Sequence, residues 1–164
     1  MMEFYVSELR NAVEKATPLL ESISEEASRE KPGPRKWCPR EVLGHLIDSA
    51  SNNHARFVRA LQQDSLIFPG YDQDAWVEAQ RYRETPWREL ITFWRSFNFH
   101  IARVMEAAPE SARRKARPDH NLDQIAWKTV PRTTPTTLDY LMEDYVGHLK
   151  HHLNQLADFS GRKR

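Results

Sequence analysis

The sequence has few of the residues that support several common classes of protein. Cys38 is the one cysteine among 164 residues, so an intramolecular disulfide is excluded. No apolar run approaches the roughly 18 residues that a membrane-spanning helix requires. The first residues also lack the basic start and apolar stretch of a signal peptide. We therefore expect one cytoplasmic domain over residues 1–164, because this length supports a stable core without disulfides.

The chain has no excess of charge of one sign. It carries 24 lysines and arginines against 23 aspartates and glutamates, and its formal net charge is +1. The basic residues are scattered, apart from short runs at 113–115 and 162–164. Proteins that bind nucleic acid or anionic membranes usually present a strongly basic surface. The composition therefore argues against both kinds of partner and is typical of a globular protein.

Glycine is scarce as well, with five in the whole chain, and apolar residues recur at three- and four-residue intervals. This pattern predicts long helices over about 2–22, 39–63, 85–108 and from 136 onward, with short helical pieces at 25–30 and 73–80. Cys38 and Glu41 have the spacing of a capping box at the start of the second helix. The predicted fold class is all-α, a four-helix bundle with a long connection at 109–135 before the last helix. A connection of this length is expected to form a lid or a wall of a site.

Histidines give the main indication of chemistry. His148 and His152 are four residues apart in the last predicted helix, so their rings lie on one face and can share an ion. A neighbouring helix must supply a further ligand, and His45 lies on the inward stripe of the second helix. Three imidazoles suit a transition-metal ion and leave coordination positions open for catalysis. Solvated or core-packed histidines would explain the same pattern, so both interpretations stand here.

Other polar residues are candidates for catalysis or for ligand binding. Asp48 follows His45 by about one helical turn, and Asp144 precedes His148 by the same interval. Either carboxylate could orient a ligand ring or move protons, and either could equally be a solvated group on a helix face. Further candidates could line a pocket, although ordinary helix packing explains them as well. These pocket candidates are Asn53, Arg56 and Tyr71. Three more histidines without a partner at helical spacing are predicted to be exposed or singly hydrogen-bonded: His54, His100 and His120.

The stretch 36–49 carries a resemblance to a known family. It reads Lys-Trp-Cys-Pro-Arg-Glu-Val-Leu-Gly-His-Leu-Ile-Asp-Ser, which resembles the Lys-Trp-Ser/Thr-x-x-Glu-x-x-x-His-x-x-Asp signature of the DinB-like superfamily, in particular its YfiT branch. Segments 53–57, 70–76 and 145–153 resemble the same branch, so the resemblance covers nearly the whole chain. It implies a four-helix bundle, frequently a homodimer, with a three-histidine site for zinc or nickel. The match places the ligands on His45, His148 and His152.

Two departures from the family pattern are visible. Cys38 stands where Ser or Thr is common, a change that affects the helix cap rather than the ligands. The His-Pro motif that precedes the last helix in the family has no clean counterpart, because His120 and Pro118 occur in the opposite order. The role of the loop before the last helix therefore does not follow from the resemblance.

The resemblance implies a metal-dependent enzyme that acts on a small molecule. The ion would activate water for hydrolysis, or a low-molecular-weight thiol such as bacillithiol for transfer to an electrophile. Cys38 is expected to cap a helix, so a reacting thiol would come from a cosubstrate, whose carboxylates Arg56 or Arg81 could bind. The alternative is a non-catalytic bundle that binds a metal or a small ligand in a stress response.

Overall fold

The computed structural model describes residues 4–161, which form seven α-helices and no strands. The four long helices are α1 (Phe4–Glu21), α2 (Pro39–Ala60), α4 (Trp87–Ala107) and α7 (Leu138–Gly161). The short ones are α3 (Gln73–Ala79), α5 (Glu110–Arg114) and α6 (Leu122–Ile125), with single 3-10 turns at Ala27–Arg29 and Tyr82–Glu84. The all-α prediction is confirmed, and the predicted helices match the observed ones to within a few residues.

The four long helices pack as a bundle. Helices α1 and α2 each pack against both α4 and α7, which places α1 and α2 at opposite corners. Each helix contributes fully buried apolar side chains, among them Leu9 of α1, Leu43 of α2, Trp94 of α4 and Leu149 of α7. Burial of one such side chain contributes about 1.5–3 kcal/mol to stability. No helix within residues 4–161 is long and apolar enough to cross a membrane.

The start of α2 is held by polar contacts on both sides of Pro39. The Cys38 backbone N–H donates to Glu41 Oε2 at 2.8 Å, as the capping-box spacing predicts. Arg40 follows and is completely buried, with its guanidinium bonded to Ser28 Oγ at 2.8 Å and to Glu25. These contacts tie the loop before α2 to the helix and so fix the direction in which α2 enters the bundle.

The connection between α4 and α7 folds back onto the segment that follows α2. Arg117 and Thr136 exchange two backbone hydrogen bonds. The Leu66 backbone N–H donates to the Asp119 carbonyl, and the Leu66 carbonyl accepts from the Asn121 N–H. Arg117 is buried, and its guanidinium donates to the Ala60 and Ala112 carbonyls, both at 2.9 Å. The connection is therefore an ordered layer of the fold, which places α6 beside the bundle.

Gly44 allows the Tyr82 ring to pack directly against the backbone of α2. A Cβ at this position would lie 2.1 Å from Cδ2 of Tyr82, far inside van der Waals contact. The Tyr82 hydroxyl donates to Asp48 Oδ1 at 2.7 Å, one turn further along α2. The absence of a side chain at position 44 thus positions the Tyr82 ring and brings its hydroxyl to Asp48.

Gly44→Ala is expected to lower the free energy of unfolding by about 1–3 kcal/mol, because the new methyl group overpacks the core against Tyr82. Gly161→Ala is the matched control, since a Cβ there meets nothing within 4 Å and alanine favours the helix. Urea denaturation measures both. An unchanged midpoint for Gly44→Ala would contradict this prediction, because Tyr82 would then make room for the methyl group without loss of stability.

Candidate metal centre

Three histidine rings converge where α2 packs against α7. His45 Nε2 lies 3.2 Å from His148 Nε2, and His152 Nε2 lies 3.0 Å from the same atom. The candidate ligand atoms of the three residues all lie within 4.8 Å of one another. Nitrogens that bind one zinc ion at 2.0–2.1 Å are about 2.9–3.4 Å apart, depending on the coordination geometry. The cluster therefore fits a shared metal ion, and it is the only such group found within residues 4–161.

Helical geometry explains this convergence. His148 and His152 are one turn apart on the inward face of α7, and their ring centroids are 4.6 Å apart. His45 is 1% exposed on the face of α2 that meets α7, and its ring centroid lies 4.8 Å from that of His152. The Trp37 ring packs against His45 at 5.0 Å. The structure thus brings together all three histidines that the sequence selected.

The second ring nitrogens of two of these histidines have polar partners. His148 Nδ1 lies 3.3 Å from Ser49 Oγ, and His152 Nδ1 lies 2.9 Å from Gln155 Oε1. An amide oxygen accepts but does not donate, so this contact places the His152 proton on Nδ1 and leaves Nε2 free to bind a metal. Gln155 is not among the residues predicted from the sequence, although its position three residues after His152 is a usable signal.

Burial keeps the cluster neutral. It lowers the pKa of His45 to about 4, with a further contribution from the adjacent His152. Burial lowers the pKa of His148 to about 3, and the neighbouring histidines lower it further. The pKa of His152 is lowered by burial as well, against an opposing contribution from Gln155. At neutral pH the rings are therefore unprotonated, which is the form that binds metals.

The two candidate carboxylates hold neighbouring chain segments. Asp48 is 2% exposed, and its Oδ1 accepts from the Tyr82 hydroxyl at 2.7 Å and from Gln80. Asp144 accepts from the backbone N–H groups of Trp127 and Lys128, both at 2.8 Å. Burial raises the pKa of both carboxyls. No hydrogen bond joins either one to the three histidines within residues 4–161, and their catalytic role stays a prediction.

A cavity of about 260 Å³, which we call the Arg56 cavity, opens beside the cluster. His45 and His148 line it together with all three predicted pocket residues, Asn53, Arg56 and Tyr71. Residues 124–127, from α6 and the chain after it, and Asp144 also line the cavity. The connection before α7 thus forms a wall of the site, as its length suggested. A second cavity of about 470 Å³ is lined by His152, Trp37 and Gln155, among others.

The remaining candidates lie elsewhere. Arg81 is exposed and paired with Glu84 at 2.6 Å, so it does not line the Arg56 cavity. His54 and His100 lie beside each other across α2 and α4, with ring centroids 5.2 Å apart, a pairing that helical spacing within one segment did not reveal. The prediction for His120 was wrong, because its ring is buried and has two polar contacts. Its Nε2 lies 2.9 Å from the Thr134 carbonyl oxygen, and its Nδ1 accepts the Leu122 backbone N–H at 3.2 Å, which holds the connection before α7.

The metal-free protein is expected to lose stability as the pH falls from about 6.5 toward 4. His45 has a pKa near 6.5 when unfolded and about 4 when folded, so the unfolded chain takes up its proton first, at a cost of about 3 kcal/mol of stability. His45→Gln should flatten this slope, whereas replacing the exposed His151 by Gln should not. Urea denaturation at several pH values measures both. Equal slopes for the two variants would contradict the lowered pKa of His45.

Comparison with known proteins agrees with this geometry. YfiT of Bacillus subtilis, named as a metal-dependent hydrolase, is 21% identical over 126 residues, covering 77% of this chain and 65% of YfiT. The solved structure of YfiT, described as a metal-dependent hydrolase with an unusual four-helix bundle topology, superposes with a TM-score of 0.79 at 18% identity. That superposition covers 97% of this chain and 85% of the YfiT chain. It confirms the bundle fold.

A shorter match joins 35% of this chain to 11% of a protein named as subunit 2 of a decarboxylating glycine dehydrogenase from Aeropyrum pernix, with 40% identity over 58 residues. Because this match covers so small a part of that protein, it carries no conclusion about the function of the present chain. The sequence profile of the DinB superfamily, in contrast, matches residues 8–156. This range includes the three clustered histidines, the whole of α2 and α4 and most of α1 and α7. The chain therefore belongs to the DinB superfamily.

Proposed function

We propose that this protein is a metal-dependent enzyme in which His45, His148 and His152 bind one divalent ion, Zn²⁺ or Ni²⁺. The observation that carries the proposal is the convergence of three neutral imidazoles within 4.8 Å at the edge of a cavity. Three protein ligands leave coordination positions for a substrate, as in catalytic zinc sites, whereas structural sites use four. The family relationship to YfiT, which is named as a metal-dependent hydrolase, supports the same function.

The chain's own groups prepare this site for chemistry. A bound divalent ion would supply Lewis acidity, lowering the pKa of a water molecule or a thiol that reaches it. Ser49 and Gln155 orient the rings of His148 and His152 through their second nitrogens. The Trp37 ring packs against His45 and helps to hold it in place. Asp144 lines the cavity with a raised pKa, and we propose that it exchanges a proton with the substrate.

Hydrolysis is the first of two reactions that we propose for this site, because YfiT is named for it. Thiol transfer is the second, and the observation that favours it is a buried cation, Arg56, in the cavity beside the histidines. Such a cation suits a cosubstrate that carries an acidic group. The protein's own Cys38 is buried, and burial raises the pKa of its thiol, so it is a poor nucleophile. The thiol would therefore come from a small molecule.

His148→Ala is expected to weaken metal binding by at least about 100-fold, because even residues that only orient ligands are worth 10–100-fold. His151→Ala is the matched control, since His151 lies on the same helix but outside the cluster. Elemental analysis of protein purified without a histidine tag measures the metal content of both. Equal metal content in His148→Ala and the unaltered protein would contradict the proposed metal site.

Turnover separates an enzyme from a bundle that only binds a metal or a small ligand. The metal-loaded protein should hydrolyse simple ester or amide substrates, or accelerate the reaction of an added thiol with an electrophile, when both sets are screened side by side. Turnover should fall at least about 100-fold in His148→Ala, in step with the lost metal. Saturable ligand binding with no turnover in either set would favour the non-catalytic alternative.

A further inference from the structure

Arg56 is a buried cation without a counter-ion. Arg56 is only 6% exposed, yet no carboxylate within the described range 4–161 forms an ion pair with it. Its guanidinium donates to the Pro69 carbonyl at 3.1 Å and, over a longer 3.4 Å, to Asn53 Oδ1. A guanidinium carries five N–H donors, and burying a charge is costly unless it is paired. These two bonds use two of the five donors and neutralise none of the charge.

The other buried arginines make more hydrogen bonds than Arg56 within residues 4–161. Arg40 is paired with Glu25, and Arg113 is paired with Asp139 at 2.5 Å. Arg117 lacks a carboxylate but donates to three backbone carbonyls, those of Ala60, Gln63 and Ala112. Each of these three arginines serves to hold chain segments together. Arg56 differs because it lines the cavity beside the three histidines.

One carboxylate, that of Asp144, lies in the Arg56 cavity but does not form an ion pair with Arg56. Asp144 lines the same cavity, but both of its oxygens accept backbone N–H groups of residues 127 and 128. Burial lowers the pKa of Arg56, and the interactions with Tyr71 and Asp144 oppose this effect only in part. Arginine nevertheless keeps its proton in proteins, so the cavity contains a persistent positive charge.

The position of Arg56 along α2 connects it to the histidine cluster. His45 and Arg56 are eleven residues apart, about three helical turns, so they lie on the same face of α2 with Cα atoms separated by roughly 16 Å. Ser49 and Asn53 lie between them on that face, and all four residues line the Arg56 cavity. A ligand with one end at Arg56 therefore extends along α2 toward the three histidines.

We propose that the Arg56 cavity binds the carboxylate of a small substrate or cosubstrate, whose reacting group then lies at the three-histidine cluster. This inference rests on the proposed function, since it assigns the substrate class of the same site. One guanidinium provides one positive charge and a bidentate donor pair, which matches a carboxylate. A dianionic phosphate would leave one negative charge unpaired beside Asp144. A cavity of about 260 Å³ is below the range of drug-sized ligands and suits a short acid.

The test uses ω-mercaptocarboxylic acids of increasing chain length, each compared with its primary amide, a neutral molecule of nearly the same shape. Calorimetric titration of the metal-loaded protein should show the acid of best-fitting length binding at least about tenfold more tightly than its amide, as expected for a charge-assisted pair. Arg56→Gln should weaken binding of the acid about 10–100-fold and leave the amide unchanged. Metal content, measured in parallel, should not change in this variant.

Two variants control for charge and for folding. Arg81→Gln removes an exposed arginine that is paired with Glu84 outside the cavity, and it should bind the acids as the unaltered protein does. Arg56→Lys keeps the charge but loses the bidentate geometry, so its preference for the acid should be intermediate. If Arg56→Gln does not fold, Arg56→Lys and the comparison of acid with amide on the unaltered protein still decide the question.

Three results would overturn the proposal: equal binding of acid and amide, a preference for the acid that survives Arg56→Gln, or tighter binding of the matching phosphonate than of the carboxylate. The titrations are repeated on metal-free protein, where the preference for the acid should persist at lower overall affinity. This arm separates the two proposals. A protein that binds no metal but keeps an Arg56-dependent preference for carboxylates would contradict the enzyme function and leave the carboxylate site standing.

Discussion

The structure depends on one constraint, a polar stripe on α2 that must be buried where α2 packs against α7. His45, Ser49, Asn53 and Arg56 recur at intervals of three or four residues along one face of the helix and are all less than 10% exposed. A bundle normally buries apolar side chains along such a face. Polar groups placed there require partners, because an unpaired buried polar atom costs about 1–3 kcal/mol. The elements around α2 provide those partners.

Several parts of the fold supply partners to α2 and its surroundings. Helix α7 brings His148 to within hydrogen-bonding distance of both His45 and Ser49. The 3-10 turn after α3 brings the Tyr82 hydroxyl to Asp48, which is possible only because Gly44 leaves room for the ring. The connection before α7 is held to α7 by Asp144 and so closes the cavity from the side. Packing of α1 and α4 provides the apolar remainder of the core.

The sequence predicted those features that depend on positions within one helix. Apolar periodicity located the four long helices, and four-residue spacing selected His148 and His152 as a pair. The family signature and the inward stripe of α2 added His45. Contacts between segments distant in the chain were beyond the same reasoning. Nothing in the spacing of residues assigns Asp48 to Tyr82 or leaves Arg56 without a carboxylate, because both facts depend on how separate elements dock.

Of the five buried side-chain atoms without a hydrogen-bond partner within residues 4–161, two lie on α2. His45 Nδ1 and Asp48 Oδ2 are buried without hydrogen-bond partners within residues 4–161, and Arg56 lacks a counter-ion on the same helix. His45, His148 and Arg56 line a common cavity, and a ligand that binds only the folded state can supply the counter-charge that Arg56 lacks. Such a ligand stabilises the fold in proportion to the logarithm of its concentration over its dissociation constant. A metal at the histidines and an acid at Arg56 would thus stabilise α2 against α7, which couples the occupancy of the site to the integrity of the bundle.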